Sequence, residues 1–133
     1  MGASGFGSFQ NDDAMDFVAE LSGADVALLV DVVGEVADLS DVEYLQADTA
    51  NRAVAAVEVV AACLDHNVSE LPEAARAWVA ASARAIPNHL ARKAGRALER
   101  VLRDSELNDL WKDAPDYAAW MAGIERTRAR LPF

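Results

Sequence analysis

Apolar positions recur at three- and four-residue steps along nearly the whole chain, a period that predicts helices. Ala14, Phe17, Val18 and Leu21 define a first helix over 12–21, with Asn11 as its N-cap and Ser22-Gly23 as its stop. Asp12 and Asp13 stand in its first turn, where the helix dipole favours negative charge. A second segment runs from about 25 to 39, with Val26, Leu29, Val30, Val33, Val36 and Ala37 on one face and Leu28 and Val32 widening it. Its β-branched residues would also suit a strand, but its length favours a helix, expected to be the most buried element.

The short connection SDVEYLQA precedes a third helix, capped by Asp48 or Thr49 and reaching about 65. Val54, Val57, Ala61 and Leu64 mark its inner face, and alanines at 50, 53, 55, 56 and 62 permit tight crossings. After the loop HNVSEL, Pro72 at a first helical position opens a fourth helix to about 85, carrying Trp78. Pro87 is another break, and Asn88 caps a fifth helix over 88–103 with Leu90, Ala94, Ala97, Val101 and Leu102 inward. Asp104 or Ser105 restarts a short helix ending near Trp111, and Pro115 opens the last, where Tyr117, Trp120, Met121, Ile124 and Leu131 repeat. No hairpin signal such as Asn-Gly interrupts the series. The expected fold is an all-α, compact single-domain bundle of six or seven short helices. It spans residues 1–133, with the glycine- and phenylalanine-rich segment 1–10 packed on it.

Composition supports this picture. The apolar fraction is 53% and the aromatic fraction 7%, so small aliphatic residues dominate and helices can approach closely. The longest apolar stretch, ADVALLVDVVGEVADL, is broken by Asp31 and Glu35 and falls short of the roughly 20 residues that cross a bilayer. The start is glycine-rich and acidic, unlike a secretory signal, and Phe6 stands where a myristoylation motif wants Ser or Thr. One cysteine, Cys63, fits a reducing compartment, so a cytoplasmic location is the default expectation.

Charge adds an asymmetry. The net charge is −10, yet residues 1–70 hold 14 of the 22 acids against Arg52 alone, while residues 71–133 are slightly basic. Either the acidic half faces a basic partner, or the two halves pack together and partly cancel. The second is the simpler reading. The stripe of Arg92, Arg96 and Arg100 is a poor nucleic-acid surface, given the overall charge and the interleaved Glu99.

The opening MGASGFGSFQNDDAMDF concentrates the candidate chemistry. Gly2, Gly5 and Gly7 lack a preceding strand and a P-loop lysine, and Asp12 and Asp13 would repel an anion, so no phosphate loop is read. The segment reads as a fold-back: glycines turn the backbone and Phe6 and Phe9 dock it. Asp16 then accepts hydrogen bonds from that backbone or pairs with an arginine. Asp12 and Asp16 stand four apart on one helix face, as a hard cation would use, but the calcium-loop spacing is absent. Glu58 lies beside Val54, Val57 and Ala61, so it is expected to be partly buried and paired with Arg92, Arg96 or Arg100. A half-buried carboxylate of this kind could alternatively serve as a general base. Cys63 and His66 make no readable zinc set, and nothing groups Ser82, Ser105 and His89 for nucleophilic catalysis. Trp78, Trp111 and Trp120 read as core, with pocket or interface roles as the alternative.

Three strings carry a family resemblance: the opening segment, the helix ANRAVAAVEVVAA, and DSELNDLWKDAPDYAAWMAGIERTRARL. Together they resemble the bacterial domain-of-unknown-function family 4259 (DUF4259) over nearly the whole chain. The family pattern has tryptophan where this sequence has Ser4, and here an aromatic, Phe6, follows two residues later. The resemblance implies a fold and carries no established activity. The leading expectation for function is a non-enzymatic protein-binding module, acidic toward a basic partner and comparable to an immunity protein or antitoxin. Its candidate residues are Phe6, Phe9, Asn11, Asp12, Asp16, Glu58, Trp111 and Trp120. The alternative is a small-molecule or metal-dependent enzyme built on Glu58 with Asp12 and Asp16. No cofactor, nucleic acid or membrane is expected, and the tryptophan-bearing helices leave a homo-oligomer open.

Overall fold

In order along the chain the helices are α1 (Asp12–Leu21), α2 (Val26–Ala37), α3 (Ala47–Asp65), α4 (Glu73–Ser82), α5 (Asn88–Arg103), α6 (Glu106–Trp111) and α7 (Tyr117–Arg130). A 3-10 turn at Ala83–Ala85 extends α4. The structure, a computed structural model, describes residues 5–132, so the readings placed on Gly2 and Ser4 lie outside the described residues. Among those described, the fold is all-α, with seven helices and no strand.

The alanine-rich α3 is the centre of the bundle. Every residue from Ala53 to Cys63 is buried, and α3 packs against all six other helices. A helix apolar on every side has to be enclosed on every side, and alanine lets neighbours come close enough to do it. This corrects the expectation that the second segment is the most buried: α2 buries one face, through Leu29, Val32, Val33 and Val36. It also corrects Leu64, placed inward by its spacing but 38% exposed because it falls in the last turn of α3.

The caps explain most boundary differences. Asn11 behaves as expected, its Oδ1 accepting from the Ala14 N–H at 2.8 Å. Replacing Asn11 by alanine should cost about 1 kcal/mol; an unchanged urea midpoint would show that this bond is not the cap. Ser105 caps α6 through the Asn108 N–H at 3.0 Å. For α3 neither Asp48 nor Thr49 serves. The helix begins at Ala47, whose N–H donates to Glu106 Oε1 at 2.8 Å, a carboxylate 59 residues away in sequence. Pro72 and Pro87 stand just before α4 and α5 as N-caps, Asn88 is the first residue of α5, and α7 starts two residues beyond Pro115.

Candidate functional site

Facing stripes on two helices make a cleft of about 490 Å³. From α3 come Asn51, Val54 and Glu58, and from α7 Trp120, Ile124 and Thr127, each set repeating at helical spacing. Residues 5–11 close one side, Leu107 and Trp111 of α6 another, and the 67–70 loop adds Asn67, Ser69 and Glu70. The three strings that carry the family resemblance therefore meet at one cavity. Of the candidate residues, Phe6, Phe9, Asn11, Glu58, Trp111 and Trp120 line it; Asp12 and Asp16 do not.

Glu58 is 5% exposed and receives the Thr127 hydroxyl on Oε1. Its other oxygen, Oε2, lies 3.7 Å from Arg130 Nη1, an ion pair beyond hydrogen-bond length. Burial pushes the Glu58 carboxyl above its ordinary range, opposed by the Thr127 hydrogen bond and then by the Arg130 charge. This overturns the expected pairing with Arg92, Arg96 or Arg100. Those side chains extend from α5, whereas α7 supplies the residues beside Glu58. Arg130 is itself held by Asp65, with Nε to Oδ2 at 2.8 Å and Nη2 to Oδ1 at 3.0 Å, and by the Asn67 carbonyl at 2.9 Å. The Arg130 hydrogen bond in turn holds the Asp65 carboxyl below the usual carboxylate range.

At the other end of the cleft the rings of Trp111 and Trp120 stack at 6.1 Å and 12°, and Tyr117 lies 6.0 Å from Trp120. The Tyr117 hydroxyl donates to Asn108 Oδ1 at 2.6 Å, tying α7 to α6. Trp120 is both core and cleft wall, buried to 4% exposure. Trp78 belongs to the core elsewhere, its Nε1 donating to the Ala24 carbonyl at 2.9 Å.

The N-terminal segment is organised by Gln10. Its Oε1 accepts from the Gly7 N–H at 2.9 Å, and its own N–H donates to the Gly7 carbonyl at 3.0 Å. A Cβ on Gly5 or Gly7 would stand 2.7 Å from that Oε1, so glycine here makes room for the Gln10 side chain. Phe9 packs on the core, while Phe6 stays 42% exposed at the cleft. Asp16 does not hold the segment: it is exposed, and among the described residues it takes no hydrogen bond from the glycine backbone. Asp13 makes a different link, accepting from Asn51 Nδ2 at 3.2 Å and so tying α1 to α3.

A second feature escaped the sequence reading. The loop between α2 and α3 exposes Val42 to 95% and Tyr44 to 65%, yet its backbone is clamped. Arg100, 4% exposed, sends Nη1 to the Ser40 carbonyl at 3.0 Å and Nη2 to that of Glu43, while Nε holds the Asp104 carbonyl at 2.8 Å. Arg103 adds a 3.3 Å ion pair to Asp41. Partial desolvation, then the neighbouring carboxylates of Glu106 and Asp109, hold the Tyr44 phenol above its ordinary pKa.

Other candidates are absorbed by packing. Cys63 is buried, and burial pushes its thiol up to about 11, far from a reactive thiolate. His66 ends α3 in the left-handed region, with φ 60°. Among the described residues no group of three or more His, Cys, Asp or Glu is placed to hold a metal ion, and no helix is long and apolar enough to cross a membrane. Of the grouping of Glu58 with Asp12 and Asp16, on which an enzyme was conceived, Glu58 alone lines the cleft. No curated protein and no solved structure matches the chain. The family described as Domain of unknown function (DUF4259) matches residues 2–123, nearly the whole length the resemblance covered, and the chain belongs to that family.

Proposed function

We propose that the chain is a non-enzymatic protein-binding module whose acidic half receives a basic partner, with the α2–α3 loop at the centre of contact. The observation that carries this reading is the clamped loop. Two large apolar side chains project from a backbone that Arg100 holds in place, so little freedom is left to lose on binding. Tyrosine is a common anchor at such interfaces. Around it stand Glu43 of the loop, together with Glu106 and Asp109, while Asp41 is already paired with Arg103.

Ion pairs explain which acids remain for a partner. Lys93 and Arg96 reach Asp38 at 2.8 and 3.9 Å, and Arg130 meets Asp65 at 2.8 Å, so part of the asymmetry is spent inside the molecule. Asp12 and Asp16 of α1 and Asp31 and Glu35 of α2 remain exposed. An immunity- or antitoxin-like role would be one form of this reading, by analogy of build. The single buried Cys63 suits a cytoplasmic setting.

The test is affinity capture from the native cell with the immobilised chain at low salt. One basic protein should be retained and released as ionic strength rises. Tyr44→Ala should cut its retention about tenfold or more. Retention of nothing, or equal retention by Tyr44→Ala and Val42→Ser, would overturn the reading.

A further inference from the structure

Apart from the protein-binding surface, we propose that the cleft binds a small organic amine, its ammonium on the Glu58 carboxylate and its apolar body against Phe9, Trp111 and Trp120.

Three observations carry this. The first is the unmet acceptor. Glu58 lines the cavity nine-tenths buried, one oxygen taking the Thr127 hydroxyl and the other facing Arg130 at 3.7 Å, too far for a hydrogen bond. Among the described residues no sealed side-chain oxygen lacks a partner, so this oxygen is reached from the cleft, where it is open to an N–H donor. The second is the balance of charge. Arg130 is already neutralised by its two bonds to Asp65, and Glu70 joins Glu58 in the lining. The lining itself holds two acids and two bases, Arg126 and Arg130, but with Arg130 held by Asp65 the two carboxylates answer to Arg126 alone, so a cation is the better-tolerated guest.

The third is the distance between the two ends. Trp120 and Thr127 line the cleft from one helix, seven residues and therefore about 10 Å apart along its axis. Asn51 and Glu58 repeat that spacing on α3. The aromatic wall and the carboxylate thus lie toward opposite ends of one cleft, and a ligand that reaches both carries a ring and an ammonium on one short chain. Ring faces also attract a cation where it passes them, which an uncharged or anionic ligand would not share.

The probes are phenethylamine, 2-phenylethanol and 3-phenylpropionate, which share a ring and differ in the head group. Each is titrated into the full chain at neutral pH and followed by calorimetry and by amide NMR shifts. Phenethylamine should saturate, with shifts concentrated at residues 5–11, Glu58 and Thr127. The alcohol should bind about tenfold more weakly or worse, and the acid weaker still. Glu58→Gln keeps an oxygen for Thr127 and should stay folded, yet bind amine and alcohol alike. Trp111→Leu should weaken both probes together. The proposal is overturned by no saturable amine binding, by equal or tighter binding of the alcohol or acid, or by Glu58→Gln keeping its preference for the amine. These readouts do not depend on Tyr44, so they stand or fall apart from the protein-binding reading.

Discussion

Exchanging Arg100 for methionine is expected to lower the unfolding free energy by about 3 kcal/mol, with a Tm fall of about 10 °C. Methionine can occupy much of the same space, so lost packing is the smaller part. What disappears is a charged donor serving three carbonyls, those of Ser40, Glu43 and Asp104. Hydrogen bonds to a charged group are each worth about 1.5–3 kcal/mol, and carbonyls near the surface recover some of that from water. Lysine should recover little, because a single ammonium cannot reproduce the fork of a guanidinium. The second readout is local. Amide exchange at residues 40–45 should quicken well beyond the global effect, and partner capture should fall with it. A stability loss under about 1 kcal/mol with unchanged loop exchange would show that the clamp is ornamental.

This clamp shows where reading the sequence stops. The arginine stripe was legible, but its destination was not, because a spacing of four says which face a side chain shares and nothing about what packs there. Arg100 went to loop carbonyls some 60 residues back in the chain, and Glu58, expected beside that stripe, went to α7. Local physics was read well for the opposite reason. Asn11 caps α1 through a bond three residues away, and the α1 stripe of Ala14, Phe17, Val18 and Leu21 is fully consistent with its burial. The start of α3 failed the same test, since its first N–H is satisfied by Glu106 from a different helix.

The cleft was half legible. Its aromatic members, Asn11 and Glu58 stood out by type, while Thr127 and Arg130 did not, being an ordinary hydroxyl and one arginine among several. Spacing held a usable signal: Trp120, Ile124 and Thr127 form one α7 stripe, and all three are buried. A polar residue in such a stripe has to find a partner in the core.

Thr127→Val, the second large effect, follows from that partnership. At pH 7 the change should cost about 2–3 kcal/mol, since it removes the hydroxyl from a buried carboxylate and leaves the 3.7 Å contact with Arg130. The loss should also depend on pH, with a definite sign. Glu58 is surrounded by Thr127 and Arg130, with Glu70 and Arg126 acting at longer range, and burial holds its folded pKa above the unfolded value. An acid so placed contributes most to stability below its unfolded pKa, and that contribution is lost as pH rises through the folded one. Removing Thr127's hydrogen bond raises the folded pKa further, so the variant suffers most where Glu58 must be ionised. The hydroxyl geometry agrees. Thr127 Oγ1 also lies 3.1 Å from the Gly123 carbonyl, and its single proton serves one acceptor well at a time. When Glu58 is protonated it can donate to Oγ1, freeing the threonine proton for Gly123. Urea melts of both proteins at pH 7 and near pH 5 should therefore show the stability gap narrowing as pH falls, while Thr127→Ser stays close to the parent at both. A gap of constant size would mean that the cost is packing alone and that Glu58 does not sense the hydroxyl.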